Sequence, residues 1–257
     1  MRSSFIAGIA LAVLAAGPAV AAKQDSVIVF AAASLREAFE AAAPAFAKKT
    51  GVTVTFSFGG SDALVTQLKQ GAPADVYASA NEAQMKVAAD AGLLAAPAQT
   101  FARNHLVAIV RKDSSAKIAA LADIAKPGVK VVLAAATVPA GTYARAAFRK
   151  LNAKNGYPAH FSDLVERNVA SNELDVKAVA TKISLGEGDV GVVYTTDVTP
   201  AIAERVKTIP FPPGSSTAAI YPIAVLKAAP NPTGARAFVD FILSPAGQAF
   251  LKARGFS

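Results

Sequence analysis

The chain contains no cysteine. Disulfides, iron–sulfur clusters and thiolate zinc sites are therefore excluded, as is a lipid-bearing cysteine behind an N-terminal leader. In an oxidising compartment its stability has to come from packing alone. Histidine is nearly as scarce, with only His105 and His160. Neither has a second histidine at metal-ligand spacing, and both read as structural. Charged residues make up only 17% of the chain. The net charge is +8, but the densest basic groups are the pairs Lys48-Lys49 and Arg111-Lys112. No basic run is interleaved with aromatics, so nucleic acid is not an expected partner. A dispersed positive charge would instead speed the arrival of small anions. No G-x-S-x-G motif is present, so no serine has the setting of a nucleophile elbow. With so few candidate bases, an enzyme is not expected. There is no internal repeat and no low-complexity linker.

Hydrophobic residues are plentiful, at 53%, which is ample for a core and argues against disorder. The N-terminus reads MRSSFIAGIALAVLAAGPAVAAKQDS. Arg2 is followed by an uncharged run from Phe5 to Ala16, the helix breakers Gly17-Pro18, and the small residues Ala19 to Ala22. This is the plan of a secretory signal peptide cleaved after Ala21 or Ala22. The run is too short and too interrupted for a spanning helix, which needs about 20 predominantly apolar residues. No later stretch could span a membrane, so an exported, freely diffusing protein follows.

The remaining chain alternates β-type runs with amphipathic stretches. Strands are expected at 26–30, 51–57, 75–79, 105–111, 129–134, 190–194 and 222–226. Helices are expected at about 35–49, 61–70, 82–91, 138–151, 174–185 and from 233 to near 253. That alternation implies an α/β fold with parallel sheets. Pro210-Phe-Pro-Pro-Gly214 is the clearest loop. Gly186-Glu-Gly188-Asp-Val-Gly191 fits G-x-G-x-x-G, but it follows a helix and precedes a strand, the reverse of a dinucleotide site. It reads as a turn.

One event recurs along the chain: a strand ends, small residues turn, and a helix begins. It occurs at Ala33-Ser34-Leu35, Gly60-Ser61-Asp62 and Pro139-Ala140-Gly141. Asp175-Val176 is a related start without the glycine. Helix N-termini carry unpaired N–H groups and about half a positive charge, so they attract anions. Ligands of open α/β sheets bind beyond the carboxyl ends of the strands. Taken singly, Ser34 and Ser61 are as readily explained as ordinary helix caps.

Seven segments in order resemble the molybdate-binding proteins of ABC transporters. They are FAAASLREAF (30–39), FGGSDAL (58–64), GAPADVYASAN (71–81), VPAGTYA (138–144), LDVKAV (174–179), GDVGVVYTTD (188–197) and SPAGQAFLKARGF (244–256). The resemblance implies a periplasmic-binding-protein-like fold: two α/β lobes joined by two hinge crossings, with ligand in the interlobe cleft. Lobe one would hold residues 23–104 and 220–257, and lobe two 105–219. The resemblance also implies the ligand set. Ser34 and Ser61 each offer hydroxyl and N–H, Ala140 and Val176 an N–H, and Tyr194 its hydroxyl.

That set supplies about seven donors to four oxygens and contains no Lys or Arg. Roughly four helix ends at about half a charge each would compensate a dianion. A donor-only site suits an unprotonated anion. Asp62, Glu173 or Asp175, if turned inward, would supply the acceptor that hydrogen phosphate needs. Asp62 departs from the small or hydroxyl residue usual in the family, and is expected to cap its helix and face solvent. The expected protein is a periplasmic monomer that needs no cofactor, takes molybdate or tungstate, and delivers it to the membrane permease of an ABC importer. A sulfate or phosphate binder of the same fold, an exported serine hydrolase and an adhesive envelope module are the alternatives.

Overall fold

A computed structural model describes residues 26–257; the expected signal peptide lies outside the described residues. The strands are β1 (Ser26–Ala32), β2 (Thr53–Gly59), β3 (Val76–Ala78), β4 (Gln99–Asn104), β5 (Leu106–Arg111), β6 (Val131–Ala134), β7 (Val169–Glu173), β8 (Val190–Tyr194), β9 (Val206–Pro210) and β10 (Ala219–Val225). The α-helices are α1 (Arg36–Thr50), α2 (Ser61–Lys69), α3 (Glu82–Asp90), α4 (Pro139–Leu151), α5 (Phe161–Arg167), α6 (Val176–Leu185), α7 (Pro200–Arg205), α8 (Pro232–Leu243) and α9 (Pro245–Lys252). Among the described residues, no helix is long and apolar enough to cross a membrane.

The strands form two five-stranded sheets with matching layouts, β2-β1-β3-β10-β4 and β7-β6-β8-β5-β9. The expectation of parallel sheets needs correction, because each sheet is mixed. β10 runs antiparallel to β3 and β4, and β5 runs antiparallel to β8 and β9. The reversed strand in each sheet is the first one after the chain crosses from the other. Only His105 separates β4 from β5, so that crossing is nearly taut. The second spans residues 211–218 and holds the Pro-rich loop.

Aromatic packing anchors the helices on the first sheet. Phe238 of α8 meets Phe39 and Phe46 of α1 edge-on, with ring centroids 5.7 and 5.4 Å apart. Such pairs add to the apolar area they bury. The segment Gly71 to Asn81 also serves the fold. Buried Asp75 accepts from the Ile28 N–H at 2.7 Å and the Asn231 N–H at 2.5 Å, tying the start of β3 to β1 and to the head of α8. Asn81 caps α3 by accepting from the Gln84 N–H at 2.9 Å.

The expected C-terminal helix is two helices. Ser244 ends α8 and caps α9 through the Gly247 N–H, with Pro245 starting the new helix. A proline at that first position costs no hydrogen bond, whereas inside a continuous helix it would. The G-x-G-x-x-G segment joins α6 to β8 as expected of a turn. Gly186 ends α6 at φ 84°, where a side chain would be strained.

Candidate ligand-binding site

Four strand-to-helix turns converge where the two lobes face each other. Ser34 lies in a 3-10 turn, Ala33–Leu35, between β1 and α1. Ser61 is the first residue of α2, after Gly60. Ala140 sits in the first turn of α4 behind Pro139, and Val176 opens α6. Tyr194 ends β8. These five residues line one small cavity, with Gly59, Gly60, Ala80, Val138 and Asp175 among its other walls. All five are at most 4% exposed.

Neither serine acts as a cap, which corrects that reading. The cap position of α2 is Gly60, and no side chain caps α2, α4 or the turn at Ser34. By helix geometry the N–H groups of Ser61, Ala140 and Val176 have no acceptor within their helices. They are left to the cavity. Gly141 is needed for this arrangement, because a Cβ there would collide with the Ala134 and Ala135 carbonyls that floor the turn.

The Ser61 and Tyr194 hydroxyls are set to donate. Ser61 Oγ accepts from the Ala80 N–H at 3.0 Å, which leaves its own proton free. Ser34 Oγ lies 2.9 Å from Tyr221 Oη. The Tyr194 hydroxyl is fully buried beside the Tyr221 hydroxyl and makes no well-formed hydrogen bond within the protein. Burial, reinforced by Tyr221, Tyr143 and Asp197, holds its phenol well above the usual range, so it keeps its proton. An orphaned buried hydroxyl carries an unmet desolvation cost until a ligand satisfies it.

The acidic neighbours are occupied elsewhere. Asp175 caps its own helix, accepting from the Ala178 N–H at 3.0 Å. Glu173 is held by Ser171 at 2.6 Å and Lys182 at 2.9 Å. Burial works against its charge, but these partners outweigh burial and keep the carboxyl below its ordinary range. Asp62 neither caps α2 nor faces solvent as expected. It is half-buried, and its Oδ2 accepts from the Thr137 hydroxyl of the other lobe at 2.6 Å. It is not among the residues lining the cavity.

An ionic cluster that sequence reasoning missed backs the site. Lys177 Nζ, next to Val176, reaches across to Glu37 Oε2 at 2.7 Å and lies 3.3 Å from Asp197 Oδ1. Asp197 accepts from the Tyr194 N–H at 3.0 Å. Burial pushes Asp197 up to about 6, against the pull of Lys177. All three residues fall inside the segments that carry the resemblance, the one signal that could have found them.

His160 is exposed, 3.9 Å from Asp163 at the start of α5. Among the described residues, no group of three or more His, Asp and Glu could hold a metal ion.

Two lobes closed over a buried, donor-lined cavity define a solute-binding protein. The chain belongs to the bacterial extracellular solute-binding protein family, which it matches over residues 27–257. It is 40% identical over 243 residues to the molybdate-binding protein ModA of Mycobacterium tuberculosis, covering 94% of this chain and 87% of that protein. Two solved structures share the fold. The Azotobacter vinelandii periplasmic molybdate-binding protein superposes with a TM-score of 0.75 at 20% identity, over 90% of this chain and 98% of that one. The sulfate-binding protein SubI from Mycobacterium tuberculosis gives 0.77 at 21% identity, over 90% and 86%. The fold is therefore common to carriers of different oxyanions.

Proposed function

We propose that this chain captures molybdate, and tungstate with it, in the periplasm and hands it as a monomer to the permease of an ABC importer. The observation that carries the reading is the cavity itself. Ser34, Ser61, Ala140, Val176 and Tyr194 come from both lobes to one small buried space, and they bring hydroxyls and backbone N–H groups to it but no charged side chain. Helix N-termini at Ser61, Ala140 and Val176 supply positive potential without a cationic side chain. The likeness to ModA proteins supports molybdate in particular. Residues 23–104 and 220–257 would move against 105–219 about the crossings at His105 and 211–218. Ligand touches both lobes, so it favours the closed form by differential contact.

Calorimetry with molybdate, tungstate, sulfate and phosphate on the mature protein tests this. The expected order is molybdate and tungstate tight, sulfate weaker and phosphate weakest. Tighter sulfate than molybdate binding would make this a sulfate carrier, as the shared fold with SubI allows. No saturable binding of any of the four would end the oxyanion reading.

A further inference from the structure

A chain of hydrogen bonds runs from the taut crossing to the cavity. Asn104, at the end of β4, is 1% exposed. Two donors converge on one oxygen of its side chain, the His105 N–H at 2.9 Å and the Thr195 hydroxyl at 3.1 Å. That assigns the amide oxygen and leaves the amide nitrogen, which can only donate. It donates to Thr196 Oγ1 at 2.8 Å and to Tyr221 Oη at 3.4 Å. Tyr221 therefore accepts from Asn104 and has its own proton to give. The Tyr194 hydroxyl is beside it, but the well-formed contact is to Ser34 Oγ, 2.9 Å away. Either hydroxyl of that pair could donate; with Tyr221 as the donor, the proton of Ser34 is directed to the cavity.

Building on the oxyanion reading above, we infer that Tyr221, oriented by Asn104, is a positioning residue that fixes the Ser34 hydroxyl as a donor and so sets the site against protonated oxyanions. Ser61 receives the same polarity from the Ala80 backbone N–H, which cannot reverse. Ser34 receives it from a side chain, which can be removed. With both hydroxyls fixed as donors, an anion that carries a proton meets no acceptor. A buried donor facing a donor is costly, and mismatched polar groups discriminate more strongly than size does. Tyr221 is fully buried among Phe101, Tyr194 and Phe256, so its hydroxyl does not wander. Supporting groups of this kind hold ligand-touching residues in their working geometry.

The test is a double-mutant cycle of Tyr221→Phe and Ser34→Ala, titrated with sodium molybdate and with phosphate near neutral pH, each variant first shown folded by its thermal transition. Tyr221→Phe alone should weaken molybdate by about five- to tenfold, the worth of one hydrogen bond. It should also raise hydrogen phosphate relative to molybdate by about tenfold, because the freed Ser34 hydroxyl can turn a lone pair inward. With alanine at position 34, adding Tyr221→Phe should change molybdate affinity by less than about twofold, since the relay has nothing left to orient. An equal loss in both backgrounds, or an unchanged phosphate-to-molybdate ratio, overturns the relay and leaves Tyr221 as packing. If the unsubstituted protein binds neither anion, the oxyanion reading falls and the relay falls with it.

Discussion

Thr137 donates its hydroxyl proton to Asp62 Oδ2 across the mouth of the cleft, at 2.6 Å. Asp62 follows β2 of one sheet and Thr137 follows β6 of the other, so under the proposed hinge motion the bond forms only in the closed form. It places a carboxylate near a site built for a dianion, and that charge opposes binding while the hydrogen bond favours closure.

The two effects separate by mutation. Thr137→Val removes the bond and keeps the charge, and should weaken molybdate by about three- to tenfold, mainly through faster release. Asp62→Asn keeps an acceptor and removes the charge, so its affinity should equal or exceed that of the parent. Calorimetry and displacement kinetics measure both, and unchanged release from the Thr137→Val protein would rule the latch out.

Gly60 allows the lobes to meet. A Cβ there would come within 2.5 Å of the Leu174 carbonyl of the other lobe. The backbone at Gly60 is ordinary, with φ −61° and ψ 135°, so in an open form alanine meets only Asp62 Oδ1, at 2.7 Å, a side-chain atom that can turn aside. Gly60→Ala should leave stability without ligand within about 1 kcal/mol of the parent, because the lower chain entropy of alanine is set against its poorer fit at a helix cap. Its molybdate affinity should fall by at least about tenfold, as expected when the closed state is disfavoured by 1.4 kcal/mol or so. A melting temperature that drops as sharply as the affinity would place the damage in folding instead.

How legible these features were in the sequence follows from where they sit. β1, β3, β6 and β8 are apolar runs buried inside their sheets and could be read directly. Three strands went unread: β4 (QTFARN), β7 (VASNE) and β9 (VKTIP). All three are sheet edges, where half-solvated faces accept polar residues and blur the pattern. The five cavity residues were legible because each lies at a strand end or a helix start within a recognisable segment. Thr137–Asp62 and Lys177–Glu37 were not, because nothing local to either residue announces a partner on the facing lobe.

Asp197 gives the protein a pH dependence of a definite sign. Its folded value is pushed up to about 6 by burial, from 3.8. A raised carboxyl contributes stability that is fully present below the unfolded value and is lost as pH climbs through the folded one. Between about pH 4 and 6, stability relative to an Asp197→Asn variant should therefore fall, by on the order of 2–3 kcal/mol. Lys177, Glu37, Tyr194 and Tyr221 face this carboxyl and are common to both proteins. Melting temperatures from pH 4 to 7 test it. A gap that moves in favour of the parent protein as pH rises would contradict the assignment.

Tyr194 offers the sharpest separation of binding from stability. Its hydroxyl is buried and makes no well-formed hydrogen bond within the protein, so a ligand that accepts from it would repay its burial. Tyr194→Phe keeps the ring in contact with Tyr221, 5.8 Å between centroids, and deletes only the donor. Ligand-free stability should hold steady or rise by up to about 1 kcal/mol, because an unsatisfied polar group is gone. Molybdate affinity should fall by about tenfold or more, the cost of one donor to a charged ligand. The stabilisation that excess molybdate gives in a thermal scan should shrink to match, since it scales with the logarithm of ligand over dissociation constant. Opposite signs from one deleted oxygen are what a ligand-directed hydroxyl predicts. A structural hydroxyl would lose stability and leave affinity alone.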